Sequence, residues 1–291
     1  MEISKTIFFI LIITIFVAGV FWGGDILQFY YSLGNRINDF SKTDVGQTIS
    51  QVGQKVFTPT PLNVGGNEKQ VFLSSTKIIS ETNIQREQNG GLPALIENKE
   101  LNKAALAKAN DMFQNQYFEH VSPSGVNPGD LVKAYGYDFI TTGENLILGN
   151  FSSEQEAVQD WMDSPGHREN ILNDRYTEIG VAVIKGIYKD QIVWIGVQEF
   201  GLPASACSAP EYFLKDSIDS EQSQLSLFAS QIDEKMKQIT DTDSKSAAYK
   251  QMVNDYNQLV SQYNSLAEDL KKNISTYNEQ VNNYNNCVQG I

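Results

Sequence analysis

The sequence predicts an α+β layered domain set between an N-terminal transmembrane helix and a C-terminal antiparallel helical hairpin of coiled-coil character. Three observations predict it: an uncharged apolar run from Thr6 to Trp22, a block from 76 to 202 in which four helical patterns precede two strand patterns, and a seven-residue seam from Tyr249 to Val288. With 291 residues, 41% of them hydrophobic, the chain can bury one sizeable core. Its formal net charge is −13 and no run of Lys and Arg occurs, so it offers no phosphate-neutralising surface and nucleic acid is excluded as a partner.

The run TIFFILIITIFVAGVFW at 6–22 falls within the ~17–25 residues of a spanning helix. Bulky Val20, Phe21 and Trp22 stand where a cleaved signal carries small residues, so residues 1–24 read as an uncleaved anchor. The expected location is the cell membrane, single-pass, with the bulk of the chain extracytoplasmic. Residues 25–75 read as a juxtamembrane segment and linker, because TPTPLNVGGNEK at 58–69 holds two prolines and two glycines and little that packs.

Within 76–202, Ile78, Ile79, Thr82 and Ile84 open a short helix that stops near Gly90 and Gly91. Leu101, Ala104, Ala105, Ala107, Ala109 and Met112 mark a buried helix rich in small residues. A third helix, Pro128 to Tyr135, starts on a proline. The fourth, Ser152 to Met162, has Ser153 as cap and Glu156 three residues later, a capping-box pattern. EIGVAVI at 178–184 and QIVWIGVQEF at 191–200 then read as two strands.

In residues 203–291, Tyr249, Val253, Tyr256, Val260, Tyr263, Ala267, Leu270, Ile274, Tyr277, Val281, Tyr284 and Val288 alternate spacings of four and three, a heptad seam. The preceding segment keeps this spacing through Leu214, Ile218, Leu225, Phe228, Ile232 and Ile239, and DTDS at 241–244 separates the two helices, which reads as an antiparallel hairpin. Cys207 and Cys287 are the only cysteines and neither lies in a CxxC motif. A second helix of roughly 66 Å against a first of roughly 37 Å plus an extended lead-in brings the two together, so they read as a disulfide closing the hairpin's open end.

Only two histidines occur, His120 in FEHVSPSG and His167 in WMDSPGHRENIL, and TTGENL supplies Glu144 between them. All three read as lying at element ends, from which they can converge. Two imidazoles and a carboxylate could ligate a divalent metal of the zinc type, or serve as a general acid and base. Spacing alone leaves loop-tying hydrogen bonds as the competing reading. Around them, Ser122, Ser124 and Ser164 read as turn formers, Gly143 and Gly166 as tight turns, and Asn145 and Asn170 as ties to loop backbone. Trp161 and Trp194 read as core or cleft wall. Arg168 reads as a partner for a cleft carboxylate or as a surface residue.

Asn83, LPAL at 92–95, FEHVSPSG at 118–125, GYDF at 136–139, GENL at 143–146, WMDSPGHRENILN at 161–173, YTEIGVAV at 176–183 and VQEFG at 197–201 together resemble the bacterial branch of the CAP superfamily. That superfamily groups the cysteine-rich secretory, antigen 5 and pathogenesis-related 1 proteins, and its module is also called the SCP domain. The resemblance implies an α-β-α sandwich with a central antiparallel sheet and a shallow cleft lined by two histidines and two acids, where some members bind a divalent metal. His120 and His167 match the histidines, and Glu144 matches the acid of the GEN motif. The second acid is unmatched: Ser164 stands in its place, with Asp163 or Asp160 as stand-ins and Asn145 and Arg168 as supporting residues. The implied function is binding of a small molecule, lipid or peptide, or an envelope-associated role. The alternatives are a metal-dependent hydrolase acting on peptide or lipid, and an interaction protein whose tail pairs with itself or with another protein. No activated nucleophile is evident, and the family has no generally accepted catalytic mechanism.

Overall fold

A cross-strand pair of eleven or more residues per strand organises the domain. In the computed structural model, which describes residues 54–290, strand β4 (Phe139–Gly149) pairs antiparallel with β6 (Gln191–Pro203), and β6 pairs antiparallel with β5 (Glu178–Tyr188). The expected anchor at 6–22 lies outside the described residues; among those described, no helix is long and apolar enough to cross a membrane. The described residues divide into two units, those up to 208 together with those from 286 onward, and residues 209–285.

In the first unit, three short strands extend the sheet. Strands β1 (Lys55–Phe57) and β2 (Leu62–Gly65) both pair parallel with β4, and β3 (Ile96–Glu97) pairs parallel with β5. The sheet is therefore mixed rather than antiparallel throughout. Helices cover both faces, giving the α-β-α layering. On one face α1 (Ser75–Gln88), α4 (Glu154–Asp163) and α5 (Pro165–Ile171) bring Ile78, Trp161 and Ile171 against Ile147, Val181 and Phe200. On the other, α2 (Lys99–Asn115) lays Ala105, Ala109 and Met112 on Leu146, Ala182 and Val197. The short α3 (Pro128–Ala134) adds Val132 to a smaller cluster with Leu101 and Phe139.

Local chemistry sets these boundaries. The Asn98 side chain accepts from the backbone N–H groups of Glu100 and Leu101 and starts α2; Asn127 does the same for Asp130 in α3, and Ser153 for Glu156 in α4. Alanines on the inner face of α2 allow close approach to the sheet. At Gly180 in β5 an added Cβ would lie 2.2 Å from the Leu101 carbonyl carbon, so the start of α2 rests directly on strand backbone.

Three expectations are corrected. TTGENL is not a break but the middle of β4, buried along its whole length. A strand covered on both faces need not alternate apolar and polar residues, and Thr141, Thr142, Glu144 and Asn145 hide the pattern. The TPTP segment is not a free linker, since it joins β1 to β2 along the edge of β4. His167 does not follow the last helix; it lies within α5, which Pro165 opens after the break at Ser164.

The second unit consists of α6 (Tyr212–Thr240) and most of α7 (Ala247–Gln289). The Glu211 N–H meets the Gln280 side chain, Glu221 meets Asn273, and Lys235 meets Asp255, so the partners descend along one helix as they ascend along the other. Tyr263, Leu270, Tyr277 and Val281 of the seam pack with Ile218 and Leu225 of α6. The last turn of α7 belongs to the first unit. There Arg175 Nη2 donates to the carbonyls of Cys287 and Val288, each at 3.0 Å, satisfying helix-end acceptors.

Cys207 and Cys287 form a disulfide with a Cα–Cα distance of 5.7 Å and a sequence separation of 80. A loop of that size contributes about 4.5 kcal/mol in the chain-entropy model. Peptide mapping without reductant is expected to recover a Cys207–Cys287 cross-link, and reduction is expected to lower the denaturation midpoint; free thiols in protein from an oxidising compartment would contradict the assignment. Gly180→Ala is expected to cost at least about 2 kcal/mol by forcing α2 off the sheet, measured by urea unfolding.

Candidate functional site

Glu144 and Glu199 are register partners in β4 and β6, on the face covered by α2, and neither is exposed to solvent. Burial, then the neighbouring Glu144 carboxyl, push Glu199 well above the ordinary carboxylate range. As two carboxylates the pair would leave Glu144 Oε2 and both Glu199 oxygens without a donor. A proton held on Glu199 supplies the missing hydrogen bond. Lys108 of α2 is also buried; desolvation lowers its pKa, while Glu144 and Glu199 oppose that shift.

His120 lies in the loop after α2. Lys108 Nζ donates to its backbone carbonyl at 2.5 Å, which fixes the loop against the helix. The ring is held at both nitrogens: Nδ1 lies 2.5 Å from Glu144 Oε1, and Nε2 contacts the Pro59 carbonyl oxygen. A carbonyl can only accept, so Nε2 carries a hydrogen and is neither a free base nor a free metal ligand.

His167 approaches from α5 and is 1% exposed. Its Nδ1 pairs with Ser164 Oγ at 2.8 Å, and its Nε2 is buried without a partner. Burial, and secondarily His120, lower its pKa to about 4. The opposite face of the sheet holds its backbone. Asn145 Nδ2 donates to the His167 carbonyl and to Gln198 Oε1, each at 3.1 Å, and Asn170 Nδ2 donates to Asn145 Oδ1 at 2.9 Å.

The structure thus brings His120, Glu144 and Ser164-held His167 into one buried neighbourhood, with Asn145 in support. It does not bring Asp163 or Arg168 there: Asp163 accepts from Gln159 on the surface, and Arg168 donates to exposed Asn89. Asp160 lies on the same helix as Asp163, and the charges that act on it are those of Glu156, Asp163 and Lys69. The acid that the register sets beside Glu144 is Glu199, a residue read only as part of a strand; its signal is the polar Gln198–Glu199 step in an otherwise apolar run. Lys108 was equally visible, as a cation on the inner stripe of α2. Gly143 and Gly166 are not turns. An added Cβ would lie 2.3 Å from Tyr176 Oη at Gly143 and 2.7 Å from Pro59 Cβ at Gly166, so each glycine makes room for a neighbour.

A divalent metal needs lone pairs that converge. His120 Nε2 is donated to Pro59, and among the described residues no group of three or more His, Cys, Asp or Glu is arranged to hold a metal ion. The residues as placed do not fit zinc, although the buried Nε2 of His167 has no partner.

With only two histidines in the chain, their ring signals in NMR are separable. His167 is expected to keep a neutral shift from pH 8 to 5 and to titrate near 4; titration between 6 and 7 would contradict its burial. Its folded pKa is below the unfolded value of 6.5, so below that pH the unfolded chain takes up a proton that the folded chain refuses. This contribution is full above pH 6.5 and is lost, to roughly 2 to 3 kcal/mol, as pH falls to 4. Glu199 runs the other way: its folded carboxyl keeps a proton that the unfolded chain releases, so its contribution is lost as pH rises above the ordinary carboxylate range. The His167 part is isolated by comparing the unfolding profile with that of His167→Gln.

Residues 79–200 match the family model described as the cysteine-rich secretory protein family, CAP. The Bacillus subtilis (strain 168) proteins "Uncharacterized protein YkwD" and "Uncharacterized membrane protein YlbC" are 39% identical over 128 residues and 32% identical over 126, matches that cover 44% and 43% of this chain. The matched regions are 46% and 36% of those proteins, so the chain spans less than half the length of the curated relatives it matches. Among solved structures, an extracellular protein containing an SCP domain from Bacillus anthracis str. Ames is 32% identical with a TM-score of 0.38, covering 44% of this chain and 39% of that one. An outer surface protein from Borrelia burgdorferi is 27% identical with a TM-score of 0.39, covering 44% of this chain and 91% of its own. The family match falls on the segment that carries the paired histidines, and residues 79–200 are identified as a CAP domain of the cysteine-rich secretory protein family.

Proposed function

We propose that this is an extracytoplasmic CAP-domain protein, held to a membrane through residues 6–22, that works by binding at the His120–Glu144 cleft rather than by hydrolysis. One observation carries this reading: both nitrogens of His120 are spent on hydrogen bonds, to Glu144 and to Pro59. A general base needs a lone pair facing its substrate, and a hydrolytic metal needs ligands with free lone pairs. Ser122 and Ser124, the serines nearest in sequence to His120, bond to one another at 2.8 Å within a turn. The disulfide supports an oxidising compartment. The description of one curated relative as a membrane protein is consistent with the anchor.

The reading in which the tail is the working part gains less support. Tyr256, Tyr263 and Tyr277 of its seam are already buried, so the apolar surface that would draw a partner is used inside the hairpin.

Full-length chain exposed to zinc and then desalted is expected to carry well under one equivalent of metal by elemental analysis, and to leave peptide and lipid ester substrates uncut. Stoichiometric zinc that is lost in His120→Ala, or turnover that is lost in the same variant, would overturn the binding reading.

A further inference from the structure

The segment that reaches His120 has the geometry of a bound peptide. Residues 54–65 run along the edge of β4 in two short parallel pairings, Lys55–Phe57 against Thr141–Gly143 and Leu62–Gly65 against Ile147–Gly149. Between them the TPTP stretch bridges the part of β4 that carries Glu144, where Pro59 and Pro61 have no N–H to pair.

Its contacts with the domain are mostly to backbone. The carbonyls of Lys55, Phe57 and Pro59, each two residues apart, are met by three side chains from elsewhere: Thr141 Oγ1 at 3.3 Å, Asn170 Nδ2 at 3.3 Å and His120 Nε2. Three glycines seat its side chains. An added Cβ would fall 2.9 Å from Val56 Cγ2 at Gly129, 2.7 Å from Pro59 Cβ at Gly166 and 2.3 Å from Val64 Cγ2 at Gly149. Yet the segment buries little of itself, with Val56 38%, Phe57 44% and Val64 39% exposed. Main-chain recognition along a sheet edge, with shallow seats for alternate side chains, is the physics of strand addition.

We propose that the edge of β4 beside His120 is a peptide-binding groove, that residues 54–65 fill it in cis as a displaceable strap, and that its ligand in trans is an extended, proline-containing peptide recognised chiefly through its backbone. The proposal names a ligand class for the binding cleft and rests on that reading. His120 is then the donor that reads the carbonyl of the residue seated on Gly166. The strap is tethered, so it competes at an effective concentration on the order of millimolar and masks the groove from weaker ligands.

The test uses full-length chain and a fluorescent peptide with the sequence of residues 55–65. Val56→Asp combined with Val64→Asp loosens the strap without altering the groove. This double variant is expected to bind the peptide saturably, and wild type at least about 100-fold more weakly. Adding Gly166→Val is expected to weaken binding at least about tenfold by filling the proline seat. Absence of saturable binding to a loosened variant whose β4–β6 amides stay protected from hydrogen exchange overturns the proposal, as does equal binding by wild type. Should the double variant fail to fold, hydrogen exchange in wild type decides: residues 55–65 opening together, faster than β5 and β6, supports a strap, and exchange only at the global unfolding rate overturns it. The mass of the recovered peptide separates the two readings, because a cut peptide refutes binding without catalysis, whereas an intact and unbound peptide refutes only the strap.

Discussion

Two carboxyl groups, Glu144 and Glu199, face each other across the central strand pair with no exposure to water, and the architecture around the cleft answers that constraint. Removing a carboxylate from water costs several kcal/mol unless a partner or a proton compensates. Here Glu199 keeps a proton, His120 Nδ1 sits on Glu144, and the Lys108 ammonium lies in the same buried region. Because Lys108 also holds the His120 backbone carbonyl, the charge balance and the position of the loop are one arrangement. Replacing either acid by an apolar residue would leave that acid's own partners unsatisfied, which is why the site behaves as a unit.

The remaining edge of the sheet poses a second constraint. A bare edge at β4 would offer unpaired backbone groups to any passing strand. Residues 55–65 cover that edge and, in doing so, place the Pro59 carbonyl on His120, so protection of the sheet and closure of the cleft come from the same short segment. His167 closes the other side through α5, its ring tied to Ser164 and its backbone to Asn145. The residue standing where a second acid was sought therefore orients a histidine instead.

The helices were legible because their signals are local. Ser153 caps where a cap was expected, and the alanine stripe of α2 carries helical spacing in plain view. Strands β5 and β6 show as β-branched runs, and the paired cysteines follow from chain length alone. What stayed hidden depends on partners distant in sequence. β4 is polar at its centre because it carries the site, which erases the strand pattern at the point where function resides. Its partner Glu199 gains meaning only from register, 55 residues on from Glu144. Pro59 lies in a stretch whose composition signals a linker, and nothing local reveals that Gly129, Gly149 and Gly166 leave space for that stretch.

Chemical access to the two histidines tests the central claim most directly. Diethyl pyrocarbonate acylates an accessible, unprotonated imidazole nitrogen, and mass mapping of the two His-containing peptides reads each site separately. In native full-length chain at pH 7, His120 and His167 are expected to react far more slowly than free imidazole and to reach its rate only on unfolding. Modification of His120 in the folded chain at a rate near that of free imidazole would contradict it, since Nε2 could not then be held by the Pro59 carbonyl.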